Sequence, residues 1–306
     1  MAIVKNELFD LEKTINSGQC FRSSCSEVVQ DDKVVNLYRI KAFINGEDRS
    51  LLIVEDKEKP FEYEFACSDE EFPMWEKYFD ITPEADNEYK YFEELMKTYE
   101  SYESADLYLK DTKFLTRCFN FSKGIRILKQ DPWEVLVSFI ISQNNNIPKI
   151  KNSIRMICEL NGGKFPNQRE LSEIDLSQCK LGYRQKYLED LENCNLENCL
   201  YFLRYYKSNE LKLLIDDLKK FKGVGDKVAN CIALFGFHFL NAFPVDTWIN
   251  KVGIKEFKHY HNGSFSLTDD CKINYTSLYR TRKGLTQQYM YYYALNHREE
   301  YLNKEE

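Results

Sequence analysis

The chain has 306 residues, 43% of them hydrophobic and 30% charged, which suits one large domain or two modest ones and excludes a disordered or collagen-like polymer. Lys and Arg total 42 against 49 Asp and Glu, a net charge of -7 that does not by itself suggest a nucleic-acid binder. The charge is uneven: residues 1–120 carry 15 basic and 27 acidic side chains and the remainder 27 and 22, so only the second part offers a polyanion a favourable field.

The first third predicts strands and turns. Val34 to Ile44 and Ser50 to Val54 are rich in β-branched and aromatic residues, with Asn45-Gly46 between them as a hairpin signal. Phe61 to Ala66 alternates aromatic and acidic residues, as a half-buried strand does. An antiparallel sheet domain over residues 1–115, with a helix over Asn87 to Thr98, is the expectation.

Residues 116–306 predict helices. Asp131-Pro132 is a cap followed by a first-turn proline, leading into WEVLVSFIISQ. Ile150, Ile154, Ile157 and Cys158 mark the apolar face of a second helix, with Gly162 as its stop. Arg184 to Asn193, Ser208 to Phe221, Asp226 to His238, Asp246 to Val252 and Leu285 to Tyr301 follow as further helices. The fold class is therefore α+β, a sheet domain followed by an all-helical one.

Ten cysteines, none in a CxxC pair, argue for reduced thiols and against a zinc or iron–sulfur site. Met1 to Asp10 holds no apolar signal core. The uncharged run Val228 to Val245 contains Asn230, His238, Asn241 and Pro244, which suits a buried helix rather than a membrane span. A cytoplasmic protein without membrane partner or cofactor is expected.

The most specific local feature is Leu218-Lys-Lys-Phe-Lys-Gly-Val-Gly-Asp-Lys-Val-Ala229, in which Gly223-Val224-Gly225 turns one helix into the next. Glycines permit positive φ angles and leave backbone N–H groups uncovered. At a helix start these donors form a phosphate cradle that reads no bases, with Lys219, Lys220 and Lys222 beside it. An ordinary helix–turn–helix corner is the plainer alternative. Lys227 stands in the first turn of an otherwise apolar helix, where desolvation lowers an amine's pKa and frees its lone pair for attack on carbon. Cys231 is one turn on, on the same face. Asp246, 19 residues beyond Lys227, lies in Phe243-Pro-Val-Asp246-Thr-Trp at a helix start. It suits an N-cap, and equally a fixed anion beside the positive charge that develops when a glycosidic bond breaks.

Together these residues resemble the helix–hairpin–helix DNA glycosylase superfamily. Ser17-Gly-Gln-Cys-Phe-Arg22, Ser142-Gln-Asn-Asn-Asn-Ile147, Leu181-Gly-Tyr-Arg-Gln-Lys-Tyr187 and Gly284-Leu-Thr-Gln287 are similar to its 8-oxoguanine DNA glycosylase/lyase branch, in family order. The resemblance implies excision of 8-oxoguanine from duplex DNA by a monomer without a metal, nucleoid-associated if bacterial. It implies Lys227 as nucleophile and Asp246 as supporting carboxylate, with strand nicking by β-elimination. Gly18, through its carbonyl, is implied to read the N7 hydrogen that 8-oxoguanine has and guanine lacks. Cys231, Phe235, Gln287 and Tyr291 are implied to line the base pocket. Tyr183 is the implied wedge of a base-flipping enzyme, and Asn144, Lys149 and Arg184 contact the orphaned partner base. Read without the family, Asn144 to Asn146 is a polar loop and Tyr183 a surface aromatic. Lys149 stands where the family commonly has arginine, and an ammonium cannot make a planar two-pronged contact with cytosine, so a relaxed choice of partner base is expected. Trp248 occupies a position often filled by a phosphate-contacting histidine. A non-catalytic hairpin module and an alkylpurine glycosylase are the rival readings; neither has use for Lys227 together with Asp246.

Overall fold

The computed structural model describes residues 1–30, 32–100, 109–191, 206–257 and 276–302. Its N-terminal part is a five-stranded antiparallel sheet of β1 (Ala2–Lys5), β2 (Ser24–Gln30), β3 (Lys33–Ile44), β4 (Glu47–Asp56) and β5 (Glu62–Phe65), in the order β1-β5-β4-β3-β2. Asn45 (φ 53°) and Gly46 (φ 82°) are both left-handed and join Ile44 to its partner Glu47, the two-residue turn whose twist matches the strands it connects. The inward residues Tyr38, Ile40, Ala42, Leu51, Ile53, Tyr63 and Phe65 bury against Phe9, Trp75 and Phe79. The central strands lie where the aromatic and β-branched runs predict them. The edge strands β1 and β2 are not evident in sequence, because an edge strand with little buried surface needs no strict alternation.

The helices are α1 (Leu11–Asn16), α2 (Phe72–Tyr78), α3 (Pro83–Glu100), α4 (Leu109–Ser122), α5 (Pro132–Ser142), α6 (Ile147–Leu160), α7 (Gln168–Ser172), α8 (Gln185–Asp190), α9 (Leu211–Leu218), α10 (Asp226–Phe235), α11 (Thr247–Glu256), α12 (Thr276–Asn296) and α13 (Arg298–Leu302). Asp131 caps α5 by accepting from the Trp133 N–H at 2.9 Å, and every residue from Pro132 to Ile141 is buried. Ile150, Ile154, Ile157 and Cys158 form the buried face of α6, as their spacing predicts. α10 ends at Phe235 with Gly236 as its cap, before His238, and the last predicted helix is broken between Asn296 and Arg298. α1, α2, α4 and α7 are not foreseen. Asn193 lies outside the described residues.

Tyr89 and Phe92 of α3 and Phe114 and Phe119 of α4 belong to the helical core, together with Phe21 and Phe43 from the sheet region. Between the two cores Arg22 donates to Glu134 at 2.7 Å, and the fully buried Arg126 donates to the Leu8 carbonyl at 2.9 Å. Arg22 also pairs with Asp48 and Arg126 with Asp86, so each buried guanidinium is compensated where it sits, and these contacts help fix how the two cores meet. Ser17 and Gly18, just after α1, are thereby held against α10 and α12.

Candidate active site

Lys227 and Asp246 line one cleft of about 1080 Å³ and also the recess of about 50 Å³ at its floor. Two elements deliver them. α10 buries Val228, Ala229, Cys231, Ile232 and Phe235, which fixes its rotation and turns half-buried Lys227 towards the cleft. α11 begins at Asp246, whose Oδ1 accepts from the Ile249 N–H at 2.8 Å, so the carboxylate is both a helix cap and a cleft-lining group. Burial pushes the Asp246 carboxyl above its ordinary range, while the Ile249 N–H and the Lys227 charge pull it back down. The Lys227 ammonium lies 3.4 Å from Ser142 Oγ and 4.9 Å from the Phe139 ring centroid.

The recess is lined by Gly18, Cys231, Phe235, Gln287 and Tyr291 with Lys227 and Asp246, so the predicted pocket residues do converge. Ser17, Phe139, Pro244 and Gln288 line it too, and sequence reasoning assigned them no part. Phe139 stacks on Phe235 at 5.5 Å and 19°. Burial pushes the Cys231 thiol up to about 11, with Lys227 pulling it the other way, so it stays a neutral, polarisable wall. Burial also raises the Tyr291 phenol. Gln287 is 4% exposed and its Oε1 has no hydrogen-bond partner among the described residues. A buried amide oxygen left bare loses free energy unless something donates to it, so Gln287 Oε1 has acceptor capacity to spare.

Asn144, Lys149 and Gly225 line the wide cleft, as do Trp248 and Arg298. Tyr183 and Arg184 support its rim without lining it. Asn144 is left-handed (φ 45°), and its Nδ2 donates to Tyr183 Oη at 3.3 Å. Arg184 donates from Nε to the Gln143 carbonyl at 2.7 Å and from Nη2 to the Asn144 carbonyl at 2.9 Å, with its guanidinium 4.7 Å from the Tyr183 ring centroid. This clamp holds Tyr183 outward, 47% exposed, at the mouth.

In the hairpin only Gly223 (φ 81°) needs the glycine-only conformation; Gly225 sits at φ -93°. The expectation that both glycines serve positive φ angles is corrected accordingly. Val224 is buried, so this turn offers solvent its backbone and not its side chain. Lys219 pairs with Asp226 at 2.6 Å, Lys220 with Asp217, and Lys222 with Asp190, which tempers the local field expected of them. Lys149, Lys227 and Arg298 line the cleft, and among the described residues none of the three has a carboxylate within salt-bridge distance. Arg298 and Lys251 both lie over the Trp248 ring, at 5.7 and 5.0 Å.

Among the described residues no group of three His, Cys, Asp or Glu could hold a metal, and no helix is long and apolar enough to cross a membrane.

Residues 1–136 match the sequence model of the 8-oxoguanine DNA glycosylase N-terminal domain. The whole architecture is similar to that of the Clostridium acetobutylicum 8-oxoguanine glycosylase/lyase, solved with double-stranded DNA containing cytosine opposite 8-oxoguanine. The TM-score is 0.69 at 30% identity, over 97% of this chain and 95% of that one. A probable N-glycosylase/DNA lyase of Methanothermobacter thermautotrophicus is 27% identical over 94% of this chain and 93% of its own length. The N-glycosylase/DNA lyase of Saccharomyces cerevisiae is 29% identical over 53% of this chain, which spans about half (49%) of the yeast protein.

Proposed function

The chain belongs to the 8-oxoguanine DNA glycosylase/lyase family, and from that membership we infer that it excises 8-oxoguanine from duplex DNA and nicks the strand at the resulting site. The observation that carries the reading is the meeting of Lys227 and Asp246 in one recess with Gly18, Cys231 and Gln287.

A stacked base hides its glycosidic bond, so the nucleotide leaves the duplex and enters the cleft while Tyr183 fills the gap. Gly223, Val224 and Gly225 hold a phosphate by backbone N–H groups. Gly18 accepts the N7 hydrogen of the oxidised base, and Gln287 Oε1 accepts from its Watson–Crick edge. Phe235 and Tyr291 close on the ring beside the neutral Cys231 thiol.

The Lys227 amine, once deprotonated, adds to C1′ as the C1′–N9 bond breaks, and the pair of electrons in that bond leaves with the base, which is protonated on departure. Asp246 stabilises the positive charge that builds on the sugar before the new C–N bond is complete. Opening of the sugar ring then gives the Schiff base, C2′ loses a proton, and the C3′–O3′ bond breaks with its electrons going to the 3′ phosphate. Asn144, Lys149 and Arg184 meet the base left behind in the partner strand. Residues 1–115 supply the Gly18 wall and residues 116–306 the hairpin and the chemistry. The compartment we propose is the cytoplasm, on the chromosome if the source is bacterial.

Borohydride trapping on a duplex containing 8-oxoguanine tests this directly. Wild type should yield a covalent adduct and free base, and Lys227→Gln neither. Binding without adduct or released base would instead support a hairpin module with no catalytic role.

A further inference from the structure

Gly18 is flanked by two carbonyls that are both capped by buried glutamine side chains. Gln288 Nε2 donates to the Ser17 carbonyl, and Gln130 Nε2 donates to the Gln19 carbonyl at 2.8 Å. Among the described residues nothing donates to the Gly18 carbonyl between them. Gln288 is 2% exposed and lines the recess with Gly18; Gln130 is 7% exposed.

Gly18 itself has φ 79° and no β-carbon, so its own sterics leave the direction of its carbonyl nearly free. Something else must aim it. Ser17 Oγ donates to the Thr14 carbonyl at 2.8 Å and Gln19 Nε2 to the Arg126 carbonyl at 2.8 Å, which anchor the loop to the body of the protein. Neither touches the Ser17 or Gln19 carbonyl. Among the described residues only Gln288 and Gln130 donate to the two peptide carbonyls on either side of Gly18, and they do so from the helical part, across the boundary between the cores.

We propose that Gln288, with Gln130, is a positioning residue that determines specificity: the two amides silence the neighbouring carbonyls and aim the remaining one, at Gly18, towards N7 of the base. The proposal rests on the functional reading above and deepens it. Neither glutamine touches the reacting atoms. Loss of either lets the glycine loop rotate, and its acceptor no longer separates an N7 hydrogen from an N7 lone pair.

The test compares wild type with Gln288→Met, which keeps the length of the side chain and removes the donor. Two readouts are needed: single-turnover release of 8-oxoguanine, and nicking of a duplex with a preformed abasic site, which has no base to read. Gln288→Met should slow release about tenfold, the factor that one hydrogen bond of about 1.4 kcal/mol supplies. Nicking at the abasic site should stay within about twofold. In a Lys227→Gln background the same change should narrow the affinity ratio between 8-oxoguanine and guanine duplexes by a similar factor. Gln130→Met is the second variant and should give the same signature, which keeps the test open if Gln288→Met fails to fold. Equal loss of release and nicking, or an unchanged ratio in both variants, would overturn the proposal. A wild type that neither releases base nor nicks abasic DNA would overturn the functional reading, and this inference with it.

Discussion

The Tyr291 ring lies on Gly18: a β-carbon added there would stand 2.9 Å from Tyr291 Cε1 and 3.1 Å from its hydroxyl. The recess of about 50 Å³ is far below the roughly 300–1,000 Å³ of pockets that hold small ligands, and the Tyr291 ring is one of the side chains that narrow it. Gly18→Ala meets two penalties, the left-handed backbone (φ 79°) and the contact with Tyr291. The first costs about 1–2 kcal/mol on its own. We expect a lower melting temperature and at least about a tenfold slower release of 8-oxoguanine, the size of one lost hydrogen bond. Adding Tyr291→Ala should recover the steric share of the lost stability and leave the backbone share, which thermal melts of the three variants would separate.

Asp246 serves two purposes that substitution can pull apart. Asn caps a helix as well as Asp, so Asp246→Asn should fold while releasing base about 10²–10³-fold more slowly, the range for a lost charge-stabilising group. Asp246→Ala should lose both activity and about 1 kcal/mol of stability. Burial raises this carboxyl's pKa in the folded chain, so folding disfavours its ionisation. That cost is absent in strongly acid solution, where the group is protonated folded and unfolded, and grows as pH rises through the unfolded and then the folded pKa. The melting temperature of Asp246→Asn minus that of wild type should therefore increase from acid to neutral pH. A gap that shrinks over this range would show that the carboxylate is stabilised where it sits.

Lys149 lines the cleft, and its backbone N–H is already used by Asn146 Oδ1 at 3.0 Å, so only the ammonium is left to meet a partner base. A point charge does not impose the planar fork that selects cytosine. Single-turnover excision should run at comparable rates opposite cytosine and adenine. Lys149→Arg should then raise the ratio in favour of cytosine by about tenfold, since a two-pronged contact is worth about 1–3 kcal/mol. A steep preference for cytosine in wild type would remove the lysine from this role.

Lys227 and Asp246, which the structure brings to one cleft, were legible as candidates because each sits beside a backbone signal: a glycine hairpin before Lys227 and a Pro-Val-Asp helix start at Asp246. Ser142 and Phe139 could have been paired with Lys227 only by knowing that α5 packs on α10, a contact between residues 85 or more positions apart. Gln288 was hidden for the same reason, since its partner Ser17 is 271 residues away. The hairpin lysines misled in the other direction. Their positive charge is plain in sequence, yet the carboxylates that pair with Lys219 and Lys222 come from the turn's far side and from α8. The edge strands escaped notice because hydrogen bonds to one neighbour, rather than burial, define them.

The two hairpin glycines should part company on mutation. A β-carbon at Gly223 would lie 2.6 Å from Tyr187 Cγ and Cδ2, at φ 81°, whereas one at Gly225 meets nothing within 4 Å. Gly223→Ala therefore combines backbone strain with overlap against a ring and should destabilise the fold by about 2 kcal/mol or more. Gly225→Ala should melt like wild type, because φ -93° suits any residue. Its methyl group would instead crowd whatever approaches the backbone N–H groups at the start of α10. A phosphate held there carries no sequence information, so Gly225→Ala should weaken binding to lesion-bearing and lesion-free duplexes by the same factor, measured by fluorescence anisotropy. Weakening confined to the 8-oxoguanine duplex would mean that this turn senses the flipped base and does not hold the backbone.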